Sequence, residues 1–551
     1  MKKLGFFLLL LFAGSFILLT DESKVSAITT NPIDYSDSFI RGADISILAD
    51  MESAGAKYYE NGTQKDALKI LKDNGVNYVR LRIWNDPYDA NGNSYGAGTN
   101  DLDTTIALAQ RAKSNGLKVL LDFHYSDFWV DPGKQNLPKS WLGLTFNDLN
   151  TNIYNYTHDV LTEMKNNNVY PDMIQIGNEL NSGMLWPYGK SWGEGGGEFD
   201  RLASFLESGV QAVKDTETQD TKIMLHLADG GNYETFKWWF DEITARSVDY
   251  DIIGVSYYPY WHGTLDQLET NINNISTRYN KEVIVVETAY GYTTANADAK
   301  ENAFGSEEAT VAGYPATAQG QYDFLSDLVK SIQNVPNDKG TGFFYWEPLW
   351  YNGDVSWATQ AGMDYLGVTD ETGNEWDNQA MFDSNGNVLD SIKVYHDSNS
   401  GNTVNYVSNP SFESDSATSS PSYWTKWLQT GTVSSTIKTE TGALDGSYKL
   451  SFWNSNAYEG SIFQTVSGLS NGTYTLTAWV IGGGTHDIAQ MYAKNYGGSA
   501  KNQNITISSA MWNKVTIKNI EVTNGTCEIG FYNKGQAAAW LNIDNVKLIK
   551  N

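Results

Sequence analysis

Two glutamates close apolar runs: residues 173–180 read MIQIGNEL, and residues 283–289 read VIVVETA. Runs of that length suit buried strands, so Glu179 and Glu287 are carboxylates delivered to strand tips. Two carboxylates facing each other across a cleft can hydrolyse a glycosidic bond. One protonates the leaving oxygen, and the other attacks the sugar carbon or activates water. Asn178, beside the first carboxylate, can hold a substrate hydroxyl near the reacting carbon. The second must stay ionised, and Arg80 or Arg82 in VRLRIW, with Tyr257 or Tyr258 in GVSYYP, can hold it so. Either glutamate alone reads equally well as a rim residue in a salt bridge. The chemistry requires a fold that brings both to one face.

The pattern between them supplies such a fold. Eight apolar runs recur over 39–46, 78–84, 117–124, 173–179, 223–229, 252–259, 283–289 and 342–348. Segments with helical periodicity, such as 64–75, 104–116, 198–214 and 265–280, separate them. Continuous apolar strands alternating with amphipathic helices predict a parallel sheet covered on both faces. Eight such units in one segment predict an α/β fold, the (β/α)8 TIM barrel. Each run ends in polar or aromatic residues: Asp44, Arg82 and Trp84, His124, Asn178 and Glu179, His226 and Asp229, Tyr257 and Tyr258, Glu287, Trp346 and Glu347. The C-terminal rim is the active-site face of this barrel, so Glu179 on strand 4 and Glu287 on strand 7 are expected in one bowl. Trp84, Trp129, Trp186, Trp261, Trp346 and Trp350 offer flat faces for stacking on sugar rings. His124, Asp127, Asp131, Lys134, Gln135, His226 and Asp229 offer directional hydrogen bonds to hydroxyls.

Composition agrees with a neutral substrate. The 551 residues carry 38 Lys plus Arg against 65 Asp plus Glu, a formal charge of −27 that argues against nucleic acid or an anionic membrane as partner. The 18 Trp and 33 Tyr exceed what cores alone usually need. Residues 1–27, with Lys2 and Lys3, an apolar run over 4–19 and Val25-Ser26-Ala27, read as a secretory signal peptide. Secretion into the extracellular medium, without membrane contact after cleavage, is therefore expected, and the chain is read as a monomer. Cys527 is the single cysteine, so no intrachain disulfide forms, which suits a bacterial export route. The catalytic barrel is expected over 28–397. Over 398–551 a Ser, Asn and Thr-rich lead gives way to short alternating runs at 448–453, 473–480, 504–508, 514–518, 526–532 and 540–548. These predict an all-β jelly-roll sandwich.

The Asn-Glu on strand 4 with a Glu on strand 7 resembles the clan of retaining (β/α)8 glycosidases. RGADISIL, VRLRIWNDP, LDFHYSDFWVDPGKQ, IGNELNSGMLWP, GVSYYPYW, VVETAYGY and FFYWEPLW, in that order, resemble the endo-β-1,4-galactanases of glycoside hydrolase family 53 over residues 38–396. The resemblance implies Glu179 as proton donor, Glu287 as nucleophile, carboxyl groups about 5–5.5 Å apart and retention of configuration. It also implies β-1,4-galactan, in the (arabino)galactan side chains of pectin, as substrate, with no cofactor required for catalysis. Some bacterial members hold structural Ca2+ in the loops after strands 7 and 8. The matching residues here are Asn296, Asp298, Asn302 and Asp377, with Lys300 placed where a ligand is wanted, and a protonated lysine cannot coordinate. SNPSFE and LNIDNVKL resemble galactan-binding modules of family 61. That likeness implies a possible Ca2+ shared by Glu413 and Asp544, and stacking by Trp424, Trp427, Trp453, Tyr458 and Trp540. Two rivals stand beside this reading. One is a clan relative cutting xylan, mannan or glucan, and the other is a non-catalytic polysaccharide-binding protein on a degenerate barrel.

Overall fold

The eight apolar runs become eight parallel strands: β1 (Ile40–Asp44), β2 (Tyr78–Ile83), β3 (Lys118–Phe123), β4 (Met173–Ile176), β5 (Lys222–Leu227), β6 (Ile252–Ser256), β7 (Glu282–Thr288) and β8 (Gly340–Tyr345). They pair in chain order and close, β8 against β1, into a barrel. These features are drawn from a computed structural model that describes residues 28–30, 33–36, 38–193, 197–217, 221–396, 405–444, 446–509 and 512–550. The signal peptide expected over 1–27 lies outside the described residues. Outward strand residues pack on helices and inward ones on each other, so both faces are apolar and the runs show no alternation.

Side-chain caps set where the helices begin. Asp101 accepts from the Thr104 N–H at the head of Leu102–Ser114, and Thr145 with Asp148 and Thr264 with Gln267 form capping boxes for Phe146–Asn166 and Leu265–Tyr279. Glu198–Thr216, Tyr233–Ala245 and Ala318–Gln333 follow β4, β5 and β7. After β8 come a short helix, Gln360–Leu366, and two 3-10 segments, Asp377–Gln379 and Asp390–Tyr395, the last against the Ala318–Gln333 helix.

The barrel interior is layered. Tyr78, Leu120, Met173, Met224, Ile252, Ile284, Val286 and Phe344 make an apolar plug toward the N-terminal ends of the strands. Two residues further along, the same inward parity presents Arg80, Asp122, Gln175 and His226, and four beyond Ile252 it presents Ser256, all buried. Gly42 makes room for the plug, because a Cβ there would stand 2.2 Å from the Phe344 ring. The strands stop sooner than the apolar runs suggest: the fourth ends at Ile176 rather than residue 179. Glu179, Asp229, Tyr258 and Glu347 therefore belong to loops, where the backbone can turn, while Asp44, Arg82, His226 and Glu287 stay within strands.

Residues 398–551 form a second compact unit, described here by itself. Its strands are β9 (Thr425–Leu428), β10 (Ile437–Thr441), β11 (Tyr448–Trp453), β12 (Tyr458–Ser467), β13 (Gly472–Gly483), β14 (His486–Lys494), β15 (Lys501–Asn504), β16 (Asn513–Val522), β17 (Thr526–Gly535) and β18 (Trp540–Lys550). They build two five-stranded sheets, ordered β9-β12-β17-β14-β15 and β10-β11-β18-β13-β16, with every pairing antiparallel. The strand expected over 504–508 is corrected: the chain pairs with β14 over Lys501–Asn504 instead, and Ile505 adds one N–H to the Ala489 carbonyl. Of the aromatic residues expected to stack on sugar, Trp424 and Tyr458 are buried in the core, so they cannot do so. Trp427 is 47% exposed on one sheet; Trp453, 48% exposed, faces Trp540 across β11 and β18 of the other.

The calcium pair expected here is also corrected. Glu413 Oε1 accepts the N–H of Ser447 and Tyr448, at 2.9 and 2.7 Å, and Asp544 Oδ2 accepts the Leu444 N–H at 2.8 Å. Both carboxylates thus hold one loop through N–H donors, which repel a cation, and the set does not fit a metal cage.

Phe344→Ala is expected to lower barrel stability by about 3–5 kcal/mol through the cavity it leaves, measured by urea unfolding. Adding Gly42→Ala should restore part of that loss, since the new methyl fills the vacated space, although Gly42→Ala alone destabilises by overpacking.

Candidate active site

Two local irregularities aim the glutamates. At the end of β4, Gly177 takes φ +80°, with a Cβ there only 2.6 Å from the Leu180 side chain. Glu179 then adopts a left-handed backbone, φ 46° and ψ 60°. Tyr125, Asp229 and Glu347, just past β3, β5 and β8, do the same. Non-glycine residues held so cost about 1–3 kcal/mol each and cluster at functional sites. On β7 the device is a bulge. Val255 pairs with Val285 but Ser256 with Glu287, so two residues oppose one and Glu287 joins Val286 inside the barrel.

Arg80, 1% exposed, stands at the centre. Its Nη1 lies 2.6 Å from Glu287 Oε1 and 3.1 Å from Asp44 Oδ2; its Nη2 lies 2.8 Å from Asp122 Oδ2 and 3.0 Å from Asn178 Oδ1. The Tyr258 hydroxyl donates to Glu287 Oε2 at 3.3 Å. The Ser256 hydroxyl donates to Glu179 Oε1 at 2.7 Å and lies 3.5 Å from Glu287 Oε2. The two carboxylates are therefore separated by no more than a shared serine oxygen.

Arg82 builds a second pairing beside the first. Its Nη1 is 2.5 Å from Glu347 Oε1, its Nη2 donates to the Ala97 carbonyl, and its guanidinium stacks 4.4 Å from the Trp129 ring centre. His124 accepts the Trp84 indole N–H at Nδ1, 3.1 Å, which leaves Nε2 facing Asp122 Oδ2 at 3.0 Å.

Two guanidinium groups thus stand among five carboxyl groups: Asp44, Asp122, Glu287 and Glu347, all buried, and the half-buried Glu179. Burial, then the charge of Glu287, pushes Glu179 up to about 8. Burial pushes Glu287 up as well, but the Arg80 ion pair opposes this. Arg80 pairs with Glu287 and not with Glu179, so a proton held by this interacting pair resides on Glu179. Burial likewise carries Glu347 to about 8, and burial with the Arg80 charge holds His226 neutral, well below the ordinary imidazole value.

These groups open on a cavity of about 390 Å3. Of the residues expected at the site, Arg80, Arg82, His124, Trp129, Asp131, Lys134, Asn178, Glu179, Tyr258, Glu287 and Trp346 line it, as do Trp261 and Trp350. Seven others do not, and their role as direct ligands is corrected. Trp186 gives its indole N–H to the Ser182 carbonyl. Trp84 is fully buried behind His124. Asp127 is spent on the Asp86 and Lys139 N–H groups. Gln135 props the Asn178 carbonyl from outside the cavity. His226 stands behind Glu179, Asp229 accepts from Asn232 at a helix start, and Tyr257 points outward to the Gly263 carbonyl.

The cavity wall also holds residues that sequence reasoning passed over, among them Trp376, Trp357, His262 and Glu375. Behind it, Asp122, Gln175 and Ser256 went unremarked. Inward parity was the available signal: Asp122 lies two before His124, as Arg80 lies two before Arg82.

The calcium residues expected after β7 and β8 are corrected too. Asp298 accepts the N–H of Lys300 and Asn374, and Asp377 accepts the Ala297 N–H and the Asn302 amide. Asn296 accepts the Asp298 N–H and donates to the Lys300 carbonyl. The cation here is Lys300, with Nζ 2.6 Å from Asp370 Oδ2. Carboxylates whose oxygens each already accept an N–H, beside a fixed ammonium, do not fit Ca2+. Among the described residues no group of three or more His, Cys, Asp or Glu could hold a metal.

Comparison with known proteins agrees with this geometry. Residues 40–395 match the sequence profile of glycosyl hydrolase family 53. A Bacillus subtilis protein named endo-β-1,4-galactanase is 37% identical over 383 residues, covering 66% of this chain and 86% of its own length. An uncharacterised Niallia circulans protein is 41% identical over 362 residues, covering 65% and 93%. The solved family 53 catalytic domain from Ignisphaera aggregans shares 40% identity and a TM-score of 0.61, covering 67% of this chain and 99% of that one. With the family profile spanning the whole barrel and its two carboxylates, the chain belongs to glycosyl hydrolase family 53.

Proposed function

We propose that this glycosyl hydrolase is a secreted endo-β-1,4-galactanase that cuts the galactan side chains of pectin with retention of configuration. The observation that carries the chemistry is Ser256 Oγ, within 2.7 Å of Glu179 and 3.5 Å of Glu287. A hydroxyl shared between the two carboxyl groups favours the about 5–5.5 Å of a retaining pair over the about 6.5–9.5 Å that an inverting enzyme needs for its water. Galactan as substrate rests on the names of the relatives, such as the Bacillus subtilis galactanase.

In the first step Glu287, ionised against Arg80, forms a bond to the anomeric carbon. The bond to the leaving oxygen breaks, and that oxygen takes the proton of Glu179. In the second step Glu179 removes a proton from water, whose oxygen displaces Glu287 and restores both groups. Every transfer uses groups of the chain itself, so catalysis needs no metal or cofactor. Trp129, Trp261 and Trp346 offer apolar faces to sugar rings, and Asp131, Lys134 and Asn178 meet hydroxyls. The β-sandwich is read as a carbohydrate-binding module, which raises the local concentration of a long polymer. The basic and apolar segment 1–27 supports export.

A digest of purified galactan should release mid-length oligomers with the β-anomer first, while xylan, mannan and glucan remain uncut. Immediate α-anomer would show inversion. Glu287→Ala should lose hydrolysis, with azide restoring cleavage and yielding an α-galactosyl azide. Activity on galactan should fall as pH rises through about 8, where Glu179 loses its proton. The same group affects stability with a definite sign. Its pKa is raised on folding from the ordinary 4.5, so the folded state holds more protons and loses stability between about pH 4.5 and 8. Glu179→Gln should abolish that part of the loss in thermal melts while lowering turnover by about 10²–10⁴-fold.

A further inference from the structure

The acid–base carboxylate is enclosed by a chain of hydrogen bonds that returns to its own residue. The Glu179 N–H points at His226 Nδ1 at 3.4 Å, and Gln175 Nε2 donates to the same nitrogen at 3.1 Å. On the other side of the ring, His226 Nε2 lies 2.8 Å from Ser256 Oγ, which lies 2.7 Å from Glu179 Oε1. Gln175, His226 and Ser256 are all fully buried.

The direction of each bond follows from which groups can only give. A backbone N–H cannot accept, so His226 Nδ1 must. Asn178 Oδ1 also lies 3.1 Å from Nδ1, but its two lone pairs face Arg80 Nη2 at 3.0 Å and Gln175 Nε2 at 3.3 Å. A proton on Nδ1 would set the Glu179 N–H against another N–H. The neutral imidazole therefore carries its hydrogen on Nε2 and gives it to Ser256 Oγ. Having accepted there, the serine has one hydrogen to offer, and Glu179 Oε1 at 2.7 Å is nearer than Glu287 Oε2 at 3.5 Å.

We propose that Ser256 is a positioning residue for the proton donor: the loop from the Glu179 amide through His226 and Ser256 reserves Glu179 Oε1 as an acceptor, so the transferable proton is carried on Oε2. An unconstrained acid would spread its proton over two oxygens, only one of which faces the leaving group. The same serine hydrogen supports the carboxylate after the proton has left, when Glu179 must act as base. The charged and titratable groups facing Glu179 are Arg80 from β2, Asp131 from the loop after β3, His226 from β5, Tyr258 after β6 and Glu287 from β7. None of the others donates a hydrogen bond to Oε1 among the described contacts.

The inference rests on Glu179 being the acid, and the test separates the two. kcat/KM is measured on galactan and on 2,4-dinitrophenyl β-D-galactobioside, whose leaving group needs no proton, for wild type, Glu179→Ala, Ser256→Ala and Ser256→Cys. Equal losses on both substrates for Glu179→Ala would overturn the acid assignment itself. If Glu179→Ala loses far more on galactan, the serine variants decide the proposal. Ser256→Ala should lose about 10–100-fold on galactan and at least about tenfold less on the aryl substrate. Its basic limb on galactan should move up by about one pH unit, because a donor to the ionised carboxylate has been removed. Ser256→Cys, a weak donor of similar shape, should fall between wild type and alanine, and it carries the same test should the alanine variant fail to fold. A basic limb that stays put or moves down, the latter meaning that the acid proton points at Ser256, would overturn the proposal.

Discussion

The guanidinium of Arg80, sealed inside the barrel, is the interaction on which the catalytic arrangement depends. Arginine keeps its proton in any protein environment, so burying it obliges carboxylates to gather round. Asp44, Asp122 and Glu287 do so, and Asn178 completes the shell. The consequence is an asymmetry between two otherwise similar glutamates. Glu287 shares an ion pair and can remain charged; among the described residues Glu179's carboxyl bonds to a serine hydroxyl alone and retains its proton. Their difference in charge comes from their neighbours, not from the side chain.

Such a cluster is costly, because taking charges out of water is offset by their attraction only when the geometry is good. The lower half of the barrel compensates. Its plug of Met, Ile, Leu and aromatic residues closes around Phe344, with Gly42 cleared to receive the ring. The two layers share one set of strands and one inward parity. A strand such as β2 therefore carries Tyr78 for packing and Arg80 for chemistry two residues apart.

The loops above the strands are fastened by the same kinds of bond. Asp127 ties the loop after β3 to Asp86 and Lys139, while Arg82 lies flat on Trp129 and anchors a cavity wall to Glu347. Lys300 does comparable work after β7: its ammonium pairs with Asp370 and stands over Trp357, another wall residue. A fixed internal cation thus braces loops whose carboxylates are already satisfied by N–H groups, a function for which no metal is needed.

Much of this was legible in the residue order. Eight apolar runs with amphipathic spacers determine a closed parallel barrel, and polar residues at the run ends determine which face carries the site. Glu179 and Glu287 followed from that pattern alone. What the pattern could not decide is where individual side chains point. By strict alternation Glu287 would face outward with Val283 and Val285, and only the bulge opposite Ser256 turns it inward. Neighbouring residues separate in the same way: Tyr258 reaches Glu287 while Tyr257 faces away, and Trp84 and His226, which look like ligands, stand one layer behind. Ser256 carries no signal in its own sequence and acquires its place from three other strands. Periodicity is a property of one strand and survives in the sequence; register, bulges and left-handed turns arise from pairing between strands, which the linear order does not record.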